Sequence, residues 1–417
     1  MTKRERRVVV TGLGCVSPVG HDVASTWDAL LAGKSGGGPI THFDASACKV
    51  HFACEVKGFD ASQYMDRKEI KRSDLYTQYA LAAAVQAMRD AGFGDGKGYE
   101  ADRTGVIVGS GIGGIETFER QLNVQRDEGP GRISPFFIPM YIADIAAGVV
   151  AMRFQAKGPN YAIVSACSTS GHTIGEAFRT ILYGDADVMI AGGSEAAITV
   201  MSVGGFGNMG ALSTRNDSPT TASRPFDATR DGFVLGEGAG VVVLEELSHA
   251  KARGAKIHGE LVGYGATGDA YHLTGQPANH EGLQRAMRRA LRDGGLEPSD
   301  VHYVNAHGTS TQMNDVNEIR AIKKVFGDHA RTMNVSSTKS AIGHTLCAAG
   351  GLEFIFTTLA IEHGVAPPTI NLNTPDPECD LNCTPNTPQR REISAAISNS
   401  SGFGGHNVCL AVRRFVD

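Results

Sequence analysis

One cysteine, two histidines and one lysine stand where short β-branched runs give way to loops or helices, and together they could run covalent thiol chemistry. Cys167 follows Tyr161-Ala162-Ile163-Val164-Ser165-Ala166 and precedes Ser168-Thr169-Ser170-Gly171. Those residues predict a buried strand turning through small residues into an amphipathic helix, with Cys167 at the helix N-terminus. Unpaired N–H groups and the positive end of the helix dipole favour a thiolate there, so the thiol is expected below its ordinary value of about 8.5. A solitary cysteine in such a turn reads more simply as an inert core residue; its company changes the reading. Val301-His302-Tyr303-Val304-Asn305-Ala306 predicts a second strand ending in His307, followed by Gly308 and the hydroxyl residues Thr309, Ser310 and Thr311. Ser336-Ser337-Thr338-Lys339-Ser340-Ala341-Ile342-Gly343-His344 predicts a third strand end that carries a lysine and a histidine. Open α/β sheets bind ligands at the carboxyl ends of their strands, and a thiol with imidazoles at such ends suits nucleophilic catalysis. A fourth loop, Ser398 to Asn407, is glycine-rich around a single aromatic, Phe403; a tight hairpin turn with Phe403 as packing is the alternative there.

The elements that must position these groups alternate. Val8 to Val10, Thr104 to Val108, Val188 to Ala191, Val241 to Leu244, Met333 to Val335, Ile393 to Ile397 and Val408 to Val412 read as further strands. Ile174, Ala177, Phe178, Ile181 and Leu182 repeat at helical spacing and stop at Gly184; Leu283, Ala286, Met287, Ala290 and Leu291 do the same before Gly294-Gly295. This alternation predicts α/β layers. Thr345 to Glu362 is apolar nearly all round, which suits a helix buried between layers at the centre of the molecule. Two glycine motifs lack their required context. Gly109-Ser110-Gly111-Ile112-Gly113-Gly114 fits G-x-G-x-x-G, but Asp127 to Gly131 stands where a strand ending in an acid should follow. Gly33-Lys34-Ser35-Gly36-Gly37 fits G-x-S-x-G, but it follows a helix-like stretch and reads as a loop.

At 417 residues the chain exceeds one ordinary domain of roughly 150 residues and can bury a sizeable core. A net charge of −5 excludes a generally basic nucleic-acid binder. No run approaches the roughly 18 apolar residues of a membrane span, and the basic start Met1 to Arg7 has too short an apolar stretch after it for a signal peptide. A reduced, cytoplasmic setting is therefore expected. The eight cysteines are scattered without a Cys-x-x-Cys pair, and Cys379 and Cys383 lack a nearby histidine, so neither disulfides nor a metal site is expected. Val164-Ser165 with Gly171-His172-Thr173 faintly repeats as Val335-Ser336 with Gly343-His344-Thr345, an offset of 171 to 172 residues. Glu245 to Lys256 is the most polar candidate boundary, which divides the chain into 1–255 and 256–417.

At these residues the sequence resembles the β-ketoacyl-acyl carrier protein synthases, condensing enzymes of the thiolase fold, and among them the elongating type II enzymes of fatty-acid synthesis. The resemblance covers essentially the whole chain. It runs through Val9-Val10-Thr11-Gly12-Leu13-Gly14, Ser134-Pro135-Phe136-Phe137-Ile138-Pro139, Gly158-Pro159-Asn160-Tyr161 and Leu212-Ser213-Thr214-Arg215-Asn216-Asp217. It continues in Ser223-Arg224-Pro225-Phe226-Asp227, Arg230-Asp231-Gly232-Phe233, Asn305-Ala306-His307-Gly308-Thr309 and Lys339-Ser340-Ala341-Ile342-Gly343-His344.

The resemblance implies an α/β, thiolase-like fold of duplicated βαβαβαββ halves in five layers, αβαβα, and a homodimer. It implies that Cys167 takes an acyl chain as a thioester, and that malonyl carrier protein then loses CO2 and attacks it. His307 and His344 would stabilise the enolate, and the N–H groups of Cys167 and Phe403 would form the oxyanion hole. Lys339 and its acidic companion Glu318 would organise charge near the histidines. Thr309 and Thr311 match positions that hold the phosphopantetheine arm; Phe403 matches a gatekeeper, and Ile112 and Phe206 the substrate pocket. No tightly bound cofactor is implied, the arm being delivered by acyl carrier protein in its acyl and malonyl forms. Lys68, Lys71 and Arg72 share one helical face suited to that acidic partner. Gly210 and Ser401 depart from the basic residue and the Phe that many members carry there. Three rivals remain in view: a ketosynthase of a type II polyketide or very-long-chain pathway, a non-condensing chain-length-factor-like partner, which would lack Cys167, and an initiating enzyme, which pairs His with Asn.

Overall fold

The computed structural model describes residues 6–94 and 96–417. Residues 1–5, which open the basic start read above, lie outside the described residues. Ten strands form the main sheet: β1 (Val8–Val16), β2 (Thr104–Gly109), β3 (Asn160–Tyr161), β4 (Val188–Glu195), β5 (Gly238–Glu246), β6 (Gly259–Gly268), β7 (Val301–Asn305), β8 (Asn334–Ser336), β9 (Ala395–Gly402) and β10 (His406–Arg413). Six helices cover it: α1 (Leu75–Asp90), α2 (Ile145–Phe154), α3 (Thr169–Tyr183), α4 (Glu281–Gly294), α5 (Gln312–Phe326) and α6 (Ala349–His363).

The strand order, β8-β7-β9-β10-β6-β1-β5-β4-β2-β3, is symmetric about the junction of β6 and β1. In each half four strands run in one direction and one runs against them, β5 in the first half and β10 in the second, and the halves meet where Val8, Val9 and Val10 pair antiparallel with Leu261, Glu260 and Gly259. Each half therefore reads βαβαβαββ. Close packing repeats as well. A Cβ on Gly12 or Gly14 of β1 would fall 2.1 or 2.0 Å from carbonyl oxygens of α1, and one on Gly263 or Gly265 of β6 would fall 2.0 Å from those of α4. Only glycine lets these helices lie directly on their strands.

Three apolar cores separate the layers. The central one gathers Ile174, Phe178 and Ile181 of α3 with Phe354, Ile355, Phe356 and Leu359 of α6 between the two sheet halves. The outer cores lie under α1 and α2 on one side and under α4 and α5 on the other. The result is αβαβα, and α6 is central because it is apolar on every face.

Two sequence expectations change. Tyr161 to Val164 is not a buried strand: β3 is a two-residue edge strand, and Tyr161 and Val164 are exposed. An edge strand with a run of β-branched and aromatic residues reads in sequence like an interior one, because periodicity does not report neighbours. The repeat offset is 180 rather than 171 to 172. The turn Ala166–Ser168 before α3 matches the turn Leu346–Ala348 before α6, with Ala166 at φ 50° and Leu346 at φ 49°. The Gly-His-Thr match was a coincidence beside the true one.

Candidate active site

Cys167 sits in the short 3-10 turn Ala166–Ser168 that feeds α3, held by Ala166 in the left-handed region. A non-glycine residue there is strained, and such strain is retained where the surroundings fix it. Ser165 N–H donates to the Thr169 hydroxyl at 2.9 Å, and the Ser168 hydroxyl donates to the His406 carbonyl at 2.8 Å, so the turn is tied both to its helix and to β10. The loop after β9 must press against this turn: a Cβ on Gly402 would meet the Ser165 carbonyl at 2.7 Å and the Cys167 nitrogen at 3.2 Å. Gly404 and Gly405 then turn back into β10 at φ 87° and 76°, a path that favours glycine.

The thiol is not lowered as expected from the helix N-terminus. Burial pushes it up to about 11, against the pull of Lys339 and of the backbone N–H groups of Cys167 and Phe403. Desolvation of a buried anion outweighs the dipole at this position. Burial therefore favours the thiol form of Cys167.

A cavity of about 620 Å³ is lined by Cys167, His307, His344 and Phe403, and also by Thr309, Thr311, Ile112 and Phe206. The imidazoles of His307 and His344 stand 5.3 Å apart, nearly perpendicular at 85°. Burial holds both well below the ordinary histidine range, with Lys339 adding to the effect, so both are neutral. Their tautomers are set from behind. His344 Nδ1 accepts the Leu346 N–H at 3.2 Å, and His307 Nδ1 faces the Lys339 ammonium at 3.4 Å. Each ring therefore carries its proton on Nε2 and offers one donor to a ligand. The Thr309 and Thr311 hydroxyls lie 2.9 Å apart, and buried Arg230 fixes that segment by donating to the carbonyls of Thr311 and Gln312 at 3.0 and 2.7 Å.

The acidic companion of Lys339 is Glu353 of α6, not Glu318. Lys339 and Glu353 form a fully buried ion pair, and burial pushes the Glu353 carboxyl up to about 7 against the pull of Lys339. Glu318 instead accepts the N–H groups of His307 and Gly308 at 2.9 and 2.8 Å, clamping the backbone that carries His307. An acid in the middle of an apolar helix, flanked by Leu352 and Phe354, was the available signal for Glu353.

Lys68, Lys71 and Arg72 are exposed and lie outside this cavity, on the helix Arg67–Lys71 and its C-cap, where Asp66 and Glu69 form a capping box. Arg72 is partly engaged, its guanidinium 4.4 Å from the Phe136 ring centroid. The G-x-G-x-x-G segment is wall: a Cβ on Gly111 would strike the Cys347 sulfur at 2.1 Å, and one on Gly113 or Gly114 the carbonyls of Tyr141 or Met140. No group of residues able to hold a metal ion occurs among the described residues.

The sequence profile of the Beta-ketoacyl synthase N-terminal domain matches residues 5–250, and that of the C-terminal domain matches residues 258–373. The chain belongs to the β-ketoacyl synthase family. A 3-oxoacyl-[acyl-carrier-protein] synthase 2 from Staphylococcus aureus is 52% identical over 412 residues, covering 99% of both chains. Among solved structures, the ishigamide ketosynthase/chain length factor superposes with a TM-score of 0.92 at 34% identity, covering 99% of this chain and 100% of that one. A type II polyketide ketosynthase, solved with its acyl-carrier protein and bound to the hexaketide, gives 0.90 at 37% identity with the same coverage. The synthase is thus an acyl-transferring condensing enzyme with the thiolase-like fold.

Proposed function

We propose that this synthase condenses an acyl chain, held as a thioester on Cys167, with malonyl-acyl carrier protein to give 3-oxoacyl-acyl carrier protein in fatty-acid elongation. The observation that carries this is one cavity holding a buried thiol opposite two neutral histidines with fixed Nε2–H donors. In the first half-reaction the Cys167 sulfur attacks the acyl thioester and the carrier sulfur leaves, taking up the proton that the Cys167 thiol gives up; the N–H groups of Cys167 and Phe403 take the charge that builds on the carbonyl oxygen. In the second, His307 and His344 donate to the malonyl thioester oxygen while the carboxylate leaves as CO2. Neutral donors suit an enolate, since they bind charge as it develops. The carbanion carbon then attacks the Cys167 thioester, forming the new carbon–carbon bond and releasing the thiolate, which takes a proton from solvent to restore the thiol.

Labour divides by halves: residues 1–255 carry the nucleophile, and 256–417 the histidine pair. The pantetheine arm would pass Thr309 and Thr311, and Lys68 and Lys71 would meet the acidic carrier protein. The exposed Tyr161 and Val164 at edge strand β3 support a homodimer joined there. No helix among the described residues is long and apolar enough to cross a membrane, which accords with a cytoplasmic enzyme. Identity to the 3-oxoacyl-[acyl-carrier-protein] synthase 2 exceeds that to the type II polyketide ketosynthase, 52% against 37%, which favours fatty-acid duty. The test is product mass after mixing enzyme, octanoyl-acyl carrier protein and malonyl-acyl carrier protein. A 3-oxodecanoyl product with release of CO2 is expected; unchanged substrates would overturn the reading.

A further inference from the structure

The loop that carries Phe403 is latched from beneath by a buried polar network. Ser401 and Asn407 are cross-strand partners at the mouth of the β9–β10 hairpin. The Asn407 carboxamide oxygen accepts two donors, the Ser401 hydroxyl at 2.9 Å and His280 Nε2 at 2.8 Å. Its nitrogen donates to Asp269 at 2.7 Å and to the Gly405 carbonyl at 3.3 Å. Asp269 N–H in turn donates to the Gly405 carbonyl at 2.9 Å, and Gly404 N–H to that of Leu273 at 2.7 Å. The His280 imidazole is thus one of four links between segment 269–280 and hairpin 401–407, beside the Asp269–Asn407, Asp269–Gly405 and Gly404–Leu273 bonds.

His280 is held at a cost. Its side chain is completely buried, and its Nδ1 has no partner among the described residues. Asn279 and His280 both lie in the left-handed region, at φ 62° and 46°. A buried unsatisfied nitrogen and two strained residues oppose folding, so they persist only where the surroundings over-determine them. His280 does not line the catalytic cavity, whereas Asp269, Ser401, Gly402, Phe403 and Gly405 do. Its hydrogen bond to Asn407 couples it to the hairpin that does line the cavity.

We propose that His280, with Ser401 and Asn407, is a positioning residue that holds the Phe403 loop so that its N–H faces the Cys167 sulfur. This rests on the condensing function above and deepens it. The histidine pair hangs on other elements, the ends of β7 and the segment after β8, so the latch governs acyl transfer to Cys167 and not loss of CO2.

The test is a pair of rates for each of wild type, His280→Ala, His280→Gln and Ser401→Ala: acyl-enzyme formation from octanoyl-acyl carrier protein by intact mass, and CO2 release from malonyl-acyl carrier protein. His280→Ala is expected to slow loading at least tenfold while decarboxylation stays within twofold, and His280→Gln, which restores a donor to Asn407, to recover most of the loss. Ser401→Ala, which keeps the histidine, is expected to slow loading severalfold and serves if His280→Ala does not fold. Wild-type loading in the alanine variants, or equal loss of both rates, overturns the proposal. A wild type that takes no acyl group overturns the condensing function itself, and the latch with it.

Discussion

Replacing Lys339 by methionine probes how the two imidazoles are held. The ammonium is buried against Glu353, whose Oε2 has no partner among the described residues, and it faces His307 Nδ1 at 3.4 Å. Removing one partner of a buried ion pair leaves a charge without compensation, at a cost of about 3–5 kcal/mol. Glu353 would then be driven further toward its neutral acid. The double variant Lys339→Met/Glu353→Leu buries no charge and should recover most of that stability. Activity should not recover with it, because His307 Nδ1 still lacks its donor and the ring no longer holds its proton on Nε2. Losing one oriented donor costs about 10²–10³-fold, or about 2.7–4 kcal/mol. Guanidinium unfolding followed by circular dichroism reads the first quantity and CO2 release from malonyl-acyl carrier protein the second. Wild-type decarboxylation in the single variant, or its recovery in the double, would refute the role given to Lys339.

Other outcomes follow from the same geometry. Because burial raises the Cys167 thiol to about 11, its alkylation by iodoacetamide should keep accelerating above pH 9; a plateau reached below pH 7 would contradict a resting thiol. Buried Glu237, beside Glu55, is raised to about 8, so the stability it contributes is present below the ordinary carboxylate value and is lost as pH rises through 8. Glu237→Gln, which can keep the bond from Val56 N–H, should therefore raise the denaturation midpoint at pH 8.5 and leave it nearly unchanged at pH 4.5. Reversing charge with Lys68→Glu/Lys71→Glu should raise KM for octanoyl-acyl carrier protein at least tenfold at low salt, with little effect on a small octanoyl thioester; equal effects on both would remove this face from carrier binding.

Much of the architecture is legible in the residues. The α/β alternation, the stops at Gly184 and Gly295, and the central placing of α6 follow from periodicity and from the absence of any polar face. Cys167, His307, His344 and Phe403 do meet in one cavity. What stayed hidden depends on neighbours in space. Strand β6 escaped notice because Gly259, Gly263, Gly265 and Gly268 dilute its apolar run, although those glycines are what let α4 pack. The duplication appeared at the wrong offset because it lies in backbone geometry, in the left-handed Ala166 and Leu346, more than in residue identity. The thiol moved opposite to expectation because a helix terminus is visible in sequence and the depth of burial is not. Glu353 was missed because hydrophobic spacing counts apolar residues and passes over an acid set among them.

The most direct test is intact-protein mass after mixing wild type and Cys167→Ala with acyl carrier proteins bearing short to long chains, without malonyl donor. The wild type should gain the mass of one acyl group and the variant none, while the variant, its histidines intact, still releases some CO2 from malonyl-acyl carrier protein. An acyl group on both proteins, or on neither, would contradict Cys167 as the nucleophile.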